Sequence, residues 1–129
     1  MLFPDVKALA KGKNFAAFTT LLPDGQPMTH VMWVDADDRH ILINSELHRQ
    51  KVLNVAKDPR VAVTIIDSAN PYRYAEVRGL VVEQVRGPQA RAHIDQLSLK
   101  YHGRPYDPAE IETERVILQI APERQRVKG

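Results

Sequence analysis

The chain has 129 residues, of which 43% are hydrophobic and 26% charged, enough for a core of its own and too apolar for a disordered segment. Its formal net charge of +2 is spread without any long Lys/Arg run, so neither a nucleic acid nor a membrane surface is an expected partner. It contains no cysteine, which excludes a disulfide framework and a thiolate zinc site.

Pro4 to Lys11 reads as a short helix, with Pro4 in the first turn, Gly12 as the stop, and Val6, Leu9 and Ala10 on one face. Asn14 to Leu22 and Pro27 to Val34 are rich in β-formers and flank Pro23-Asp24-Gly25, a hairpin turn. After a polar turn, His40 to Asn44 reads as a third strand, making the first third of the chain a three-stranded meander. His48 to Lys57 has helical spacing and ends at Asp58-Pro59. Val61 to Ile66 is a buried strand. Tyr72 to Val85 is a long one, in which Gly79 marks a bulge or a bend. Pro88 to His102 reads as a helix stopped by Gly103, and Arg115 to Ala121 as the last strand before a basic tail. About six antiparallel strands with flanking short helices imply an α+β fold, a partly closed barrel in a single domain over residues 1–129. The first residues carry no signal-peptide pattern, no stretch approaches the ~18 apolar residues of a membrane span, and the cytoplasm is the expected compartment.

The segment richest in chemistry runs from Ser45 to Asn54, out of a strand and into a helix. A helix N-terminus carries free N–H groups and partial positive charge. Arg49 and Lys51 add two cations there, against the dipole, an arrangement that a bound anion offsets. Arg49 can grip a phosphate through two N–H groups, Lys51 supplies a point charge, and Ser45 and Asn54 supply neutral donors. The other reading of the same residues is a solvated helix face on which Glu46 pairs with Arg49.

Other motifs are weaker. The five histidines show no i, i+4 pair, and no metal site is expected. The dinucleotide glycine pattern and the nucleophile elbow are both absent. Trp33, the only tryptophan, sits in an apolar strand where packing is its expected role, and Tyr72 and Tyr74 share a strand face.

Arg49-Gln50-Lys51-Val52-Leu53-Asn54 followed by Asp58-Pro59-Arg60-Val61 resembles the phosphate-binding helix of the pyridoxamine 5′-phosphate oxidase-like superfamily, and within it the F420-dependent reductases. Further matches follow in order: Asp24-Gly25-Gln26-Pro27 with Val31 to Val34, Asn70 to Tyr74 with Glu76 to Gly79, Ile94 to Leu97 with Lys100-Tyr101, and Arg115-Val116. The resemblance implies a split β-barrel of the FMN-binding type, a homodimer, and a cofactor at its interface, coenzyme F420 or alternatively FMN. Arg49, Lys51 and Asn54, with Gln50 in the same run, would hold the cofactor phosphate. Met28, Thr29, His30, Val31 and Met32 would line the ring system, Asn44 and Ser45 would approach its side chain or edge, and Tyr72, Tyr74 and Val77 would come from the partner. The implied activity is hydride transfer between the deazaflavin and an unsaturated or quinone-like small molecule. An FMN-dependent enzyme and a non-catalytic F420 carrier are the alternatives. In the carrier and enzyme readings alike, Lys11, Lys13, Arg124, Arg126 and Lys128 either meet an acidic polyglutamate tail or form an ordinary solvated surface. His30-Val31 stands where the group often has Pro, and the Gly103–Glu112 loop is short; both departures touch the substrate side.

Overall fold

A computed structural model describes residues 1–129. In chain order its elements are α1 (Pro4–Lys11), β1 (Phe15–Leu21), β2 (Pro27–Trp33), β3 (Asp35–Ala36), β4 (Ile41–Glu46), α2 (Gln50–Lys57), β5 (Arg60–Ile66), β6 (Tyr74–Arg86), α3 (Pro88–His102), a 3₁₀ turn at Pro108–Glu110, and β7 (Arg115–Lys128). The strands form one seven-stranded sheet in the order β2-β1-β5-β6-β7-β4-β3, and every neighbouring pair is antiparallel. The sheet curls until its edge strand β2 comes close to β4 without joining it by a ladder. The barrel is therefore split along that line, and it is α+β as the sequence implies.

The inward face alternates as a pleated strand requires. Phe18, Ile41, Ile43, Val63, Ile65, Val77, Leu118 and Ile120 are fully buried or nearly so. They belong to one apolar cluster that also takes Val6, Leu9 and Ala10 from α1 and Val52 and Val55 from α2. A second, smaller cluster lies elsewhere, where Ile94, Leu97 and Tyr101 of α3 pack with Trp33 and Tyr106.

The expected meander does not form. β1 and β2 make the hairpin, but β4 pairs with β7 and β3 instead of β2. The chain is held at Val34, the residue after β2. Its N–H donates to the Tyr101 hydroxyl at 3.1 Å, and its carbonyl accepts from the Lys100 ammonium at 2.6 Å. Helix α3 thus takes both backbone groups at the point where β2 ends. Seven strands replace the expected six because Asp35–Ala36 pairs briefly with β4.

The last strand also exceeds the expectation. It runs past Ala121 to Lys128, so the basic tail is a strand whose Arg124, Arg126 and Lys128 stand opposite Arg78, Glu76 and Tyr74. Pro122 is tolerated because the ladder breaks there. The register shifts between Arg78 and Gly79, and Gly79 faces Pro122. A Cβ on Gly79 would lie 2.1 Å from the Ala121 carbonyl oxygen, so only glycine lets the strands close at this bulge. Gly79→Ala is expected to cost about 3 kcal/mol, because the obstacle is backbone and cannot swing away. Urea unfolding of the two proteins measures it, and a loss under about 0.5 kcal/mol would show that the ribbon shifts freely.

Candidate functional site

The split opens a cleft of about 680 Å³. Val31, Met32 and Trp33 at the end of β2 form one wall, α3 and the loop carrying Arg104 and Tyr106 form another, and Asn44 and Arg115 lie at its floor. Trp33 is held flat against Tyr101, with ring centroids 5.0 Å apart and planes 6° off parallel. Tyr106 meets the indole edge-on at 6.3 Å. The cleft therefore has a rigid aromatic flank.

Its floor is polar and internally paired. Arg115, at the start of β7, donates from Nε to Asn44 Oδ1 at 2.8 Å, and its Nη1 lies 3.5 Å from the Glu46 carboxylate. The guanidinium also stands 5.3 Å from the centroid of the Tyr106 ring. Glu46 accepts backbone N–H bonds from Glu112 and Thr113, each at 2.8 Å. Burial opposes its ionisation, but these donors and Arg115 outweigh that and hold the carboxyl below the usual glutamate range. Glu46 is thus committed to the 112–115 segment, and the alternative pairing with Arg49 does not occur.

Lys51 is the unusual group. Helix α2 begins at Gln50, two residues later than the spacing suggests, which makes Arg49 the N-cap and puts Lys51 in the first turn. Only 8% of Lys51 is exposed; its ammonium meets no acceptor and no carboxylate of the chain, but the nitrogen at the tip still reaches solvent. Burial pushes its pKa below the ordinary lysine value, and the charges of Arg49 and Arg115 push it the same way. A lysine with a largely enclosed side chain and two further cations close by, with the nearby Glu46 carboxylate already engaged, concentrates positive charge at this point of the surface. The exposed Arg49 supplies the arm on its solvent side.

The remaining expected residues divide. Gln50 and Asn54 serve the frame instead. The Gln50 amide donates to Asn54 Oδ1 at 2.8 Å, and the Asn54 amide donates to the Thr20 hydroxyl at 2.9 Å. Asn54 is buried against β1, so it docks α2 and is not presented as a phosphate donor. Ser45 is buried within β4, opposite Val116. The run Met28 to Met32 does not line a single surface, since neighbours on a strand point to opposite faces. Met28, His30 and Met32 stand opposite the interior residues Thr20, Phe18 and Ala16, while the Thr29 hydroxyl bonds that of Thr19 outside. Val31 and Met32 reach the cleft. Val77 is fully enclosed in the core and has no surface to offer a partner. Tyr72 is 86% exposed in the loop before β6, and Tyr74 lies within the ladder opposite Ile66 and Lys128. Lys11 is paired with Asp35 at 2.9 Å. Arg115, Trp33 and Tyr106 are site residues that sequence reasoning missed or assigned to packing. Only the position of Arg115 at a strand start was visible, and nothing there signals its burial.

A family model described as pyridoxamine 5′-phosphate oxidase matches residues 2–129. The chain belongs to the pyridoxamine 5′-phosphate oxidase family. Its fold is the split barrel of flavin- and deazaflavin-type oxidoreductases. Among solved structures, an F420 reductase is 31% identical, with a TM-score of 0.83 and coverage of 97% of this chain and 98% of that one. A conserved hypothetical protein from Mycobacterium tuberculosis is 25% identical, with a TM-score of 0.78 over 99% of this chain and 84% of the other. The General Stress Protein 26 of Bacillus anthracis str. Sterne shares the fold at 20% identity, with a TM-score of 0.72 and coverage of 95% and 90%. No curated protein matches. No helix is long and apolar enough to cross a membrane.

A lysine whose stem is enclosed and whose ammonium has no partner in the chain contributes little to stability. Lys51→Met is expected to leave stability unchanged or raise it by up to about 1 kcal/mol, because it removes a partly desolvated charge and keeps the volume. The Lys51 pKa is lowered on folding, so the unfolded chain binds more protons between that lowered value and the usual lysine one. Wild-type stability then rises with pH across that window, and the slope fades in the variant. Thermal unfolding as a function of pH reads both; a clear loss of stability in Lys51→Met would mean that the ammonium is satisfied in solution.

Proposed function

We propose that this protein is an F420-dependent reductase that passes a hydride between the deazaflavin and an unsaturated or quinone-like small molecule. The observation that carries the reading is the unpartnered Lys51 ammonium, on a largely enclosed side chain and close enough to feel the charges of Arg49 and Arg115, the second of which lies at the floor of a cleft with an aromatic flank. Lys51 and Arg49 would hold the cofactor phosphate, and the edge of the cleft at Val31, Met32 and Trp33 would take the ring system. When bound, the cofactor supplies the hydride chemistry, and the protein binds it, orients it and excludes water. Similarity to an F420 reductase over nearly the whole chain favours deazaflavin over FMN. The exposed Tyr72 fits a homodimer in which each protomer reaches towards its partner's cofactor.

The test is titration of the protein with F420 and with FMN, side by side. F420 is expected to bind more tightly; tighter FMN binding would assign the site to a flavin enzyme. Binding of F420 with no turnover over a panel of enones and quinones would instead make the protein a carrier. Arg49→Ala with Lys51→Ala is expected to weaken cofactor binding by about a hundredfold, given roughly 1.5–3 kcal/mol for a hydrogen bond to a charged group. Its melting temperature should hardly fall.

A phosphate is held best by the protonated ammonium. Affinity should therefore fall as pH rises through the lowered Lys51 pKa, earlier than an ordinary lysine would dictate. An affinity flat up to the ordinary lysine range would remove Lys51 from the phosphate site.

A further inference from the structure

The floor of the cleft is tied to a buried histidine that lies behind it. His93, on α3, is only 7% exposed. Its Nδ1 lies 3.0 Å from the Asn44 amide nitrogen, and its Nε2 lies 2.9 Å from Asp35 Oδ2. The proton positions follow from the neighbours. Asn44 Oδ1 faces Arg115 Nε, which only donates, at 2.8 Å. Asn44 Nδ2 faces the Ala90 carbonyl, which only accepts, at 3.1 Å. These two contacts fix which end of the amide is which. The second Asn44 N–H must then donate to His93 Nδ1, so that nitrogen carries a lone pair. Nε2 faces a carboxylate and carries the proton.

Asp35 is held in its acceptor role. Burial opposes its ionisation, but His93 and the Lys11 ammonium at 2.9 Å overcome that, and its carboxyl sits well below the usual range. The result is an ordered chain from Lys11 through Asp35, His93 and Asn44 to Arg115. Each member has one role, and reversing any one of them puts two donors or two acceptors face to face.

We propose that His93 is a positioning residue for the cleft: as the neutral Nε2–H tautomer it locks the Asn44 amide, which in turn aims the Arg115 guanidinium at the cleft floor. Without an acceptor at His93 Nδ1, the amide loses one of the partners that hold its orientation, and Arg115 Nε loses a fixed acceptor. Arg115 then swings between Glu46 and Tyr106, and the charge it presents beside Lys51 is no longer fixed. The effect on cofactor binding rests on the function proposed above; the tautomer and the lock do not.

Three proteins test it: wild type, His93→Asn and His93→Leu. Asparagine keeps a carbonyl oxygen where Nδ1 stood, so it can still accept from Asn44, whereas leucine cannot. The first readout needs no ligand. The ¹⁵N shifts of the wild-type imidazole near neutral pH should report the Nε2–H tautomer; an Nδ1–H tautomer or an imidazolium would overturn the proposal, and this holds even if a variant fails to fold. The second is exchange of the Arg115 Nε–H with water, expected to be about tenfold faster in His93→Leu and restored in His93→Asn. Equal exchange in all three would show that His93 only fills space. The third is the dissociation constant for F420 and FMN, expected to follow the same order, about tenfold weaker in His93→Leu. If neither cofactor binds even the wild type, the functional reading fails while the two spectroscopic readouts still decide the lock.

Discussion

Both backbone groups of Val34 are taken by helix α3, which joins the first hairpin, α1 and the cleft wall at one point. Tyr101 and Lys100 reach them from adjacent positions on the helix. The Tyr101 hydroxyl donates in turn to the Asn14 carbonyl at the start of β1. One tyrosine therefore pins the open end of the first hairpin. The Lys100 ammonium reaches the carbonyls of Ala10 and Lys11 as well, so it ties the end of α1 to the same point. Burial lowers its pKa to about 8, which marks how far this charge has been taken out of water. The hairpin ends at this tie, and no third strand lies on β2. The hairpin keeps a free edge, the sheet closes elsewhere, and the gap between β2 and β4 becomes the cleft.

What the sequence reveals is governed by how local the cause is. The bounds of α3 are legible because Pro88 opens it and Gly103, with φ +74°, closes it, both through the backbone of the residue itself. Gly79 is legible as a bulge for the same reason, although its tight approach to Ala121 is not. The strand bounds are close for β1, β2 and β5, where alternation or β-branching is strong. Pairing partners are not legible, because nothing between His40 and Asn44 distinguishes β2 from β7 as a neighbour. The sequence groups Arg49 and Lys51 around one anion, yet folding exposes the first and encloses most of the second. It places Asn54 with them, but the Thr20 hydroxyl, a strand away, claims that side chain. Arg115 joins the site only because β7 lies beside β4, a long-range pairing that no local pattern records.

The site also has an uneven electrostatic design. Glu46 and Arg115 are buried charges with partners, and Asp35 is a half-buried one with partners; each is a component of the frame. The Lys51 ammonium, at the tip of a largely enclosed side chain, has no partner in the chain. The distinction matters because a paired charge resists change, whereas an unpaired one lowers the energy of any state that brings an anion to it. The carboxylate nearest Lys51, that of Glu46, is held by the 112–115 segment and is not free to pair with it.

The two strands that meet at the cleft floor are far apart along the chain. The Asn44 and Arg115 side chains that touch there are 71 residues apart in sequence, and every rung between β4 and β7 closes a loop of similar size. Such pairings form late, after the local hairpin and helices, because the entropy of closing the loop is lost before the contacts repay it. During synthesis from the N-terminus, Lys51 leaves the ribosome long before the strand that supplies Arg115. A nascent chain lacking β7 exposes the β4 edge and has no floor to its cleft. Assembly of the cleft therefore coincides with completion of the sheet, and a partly made chain has no cleft to fill.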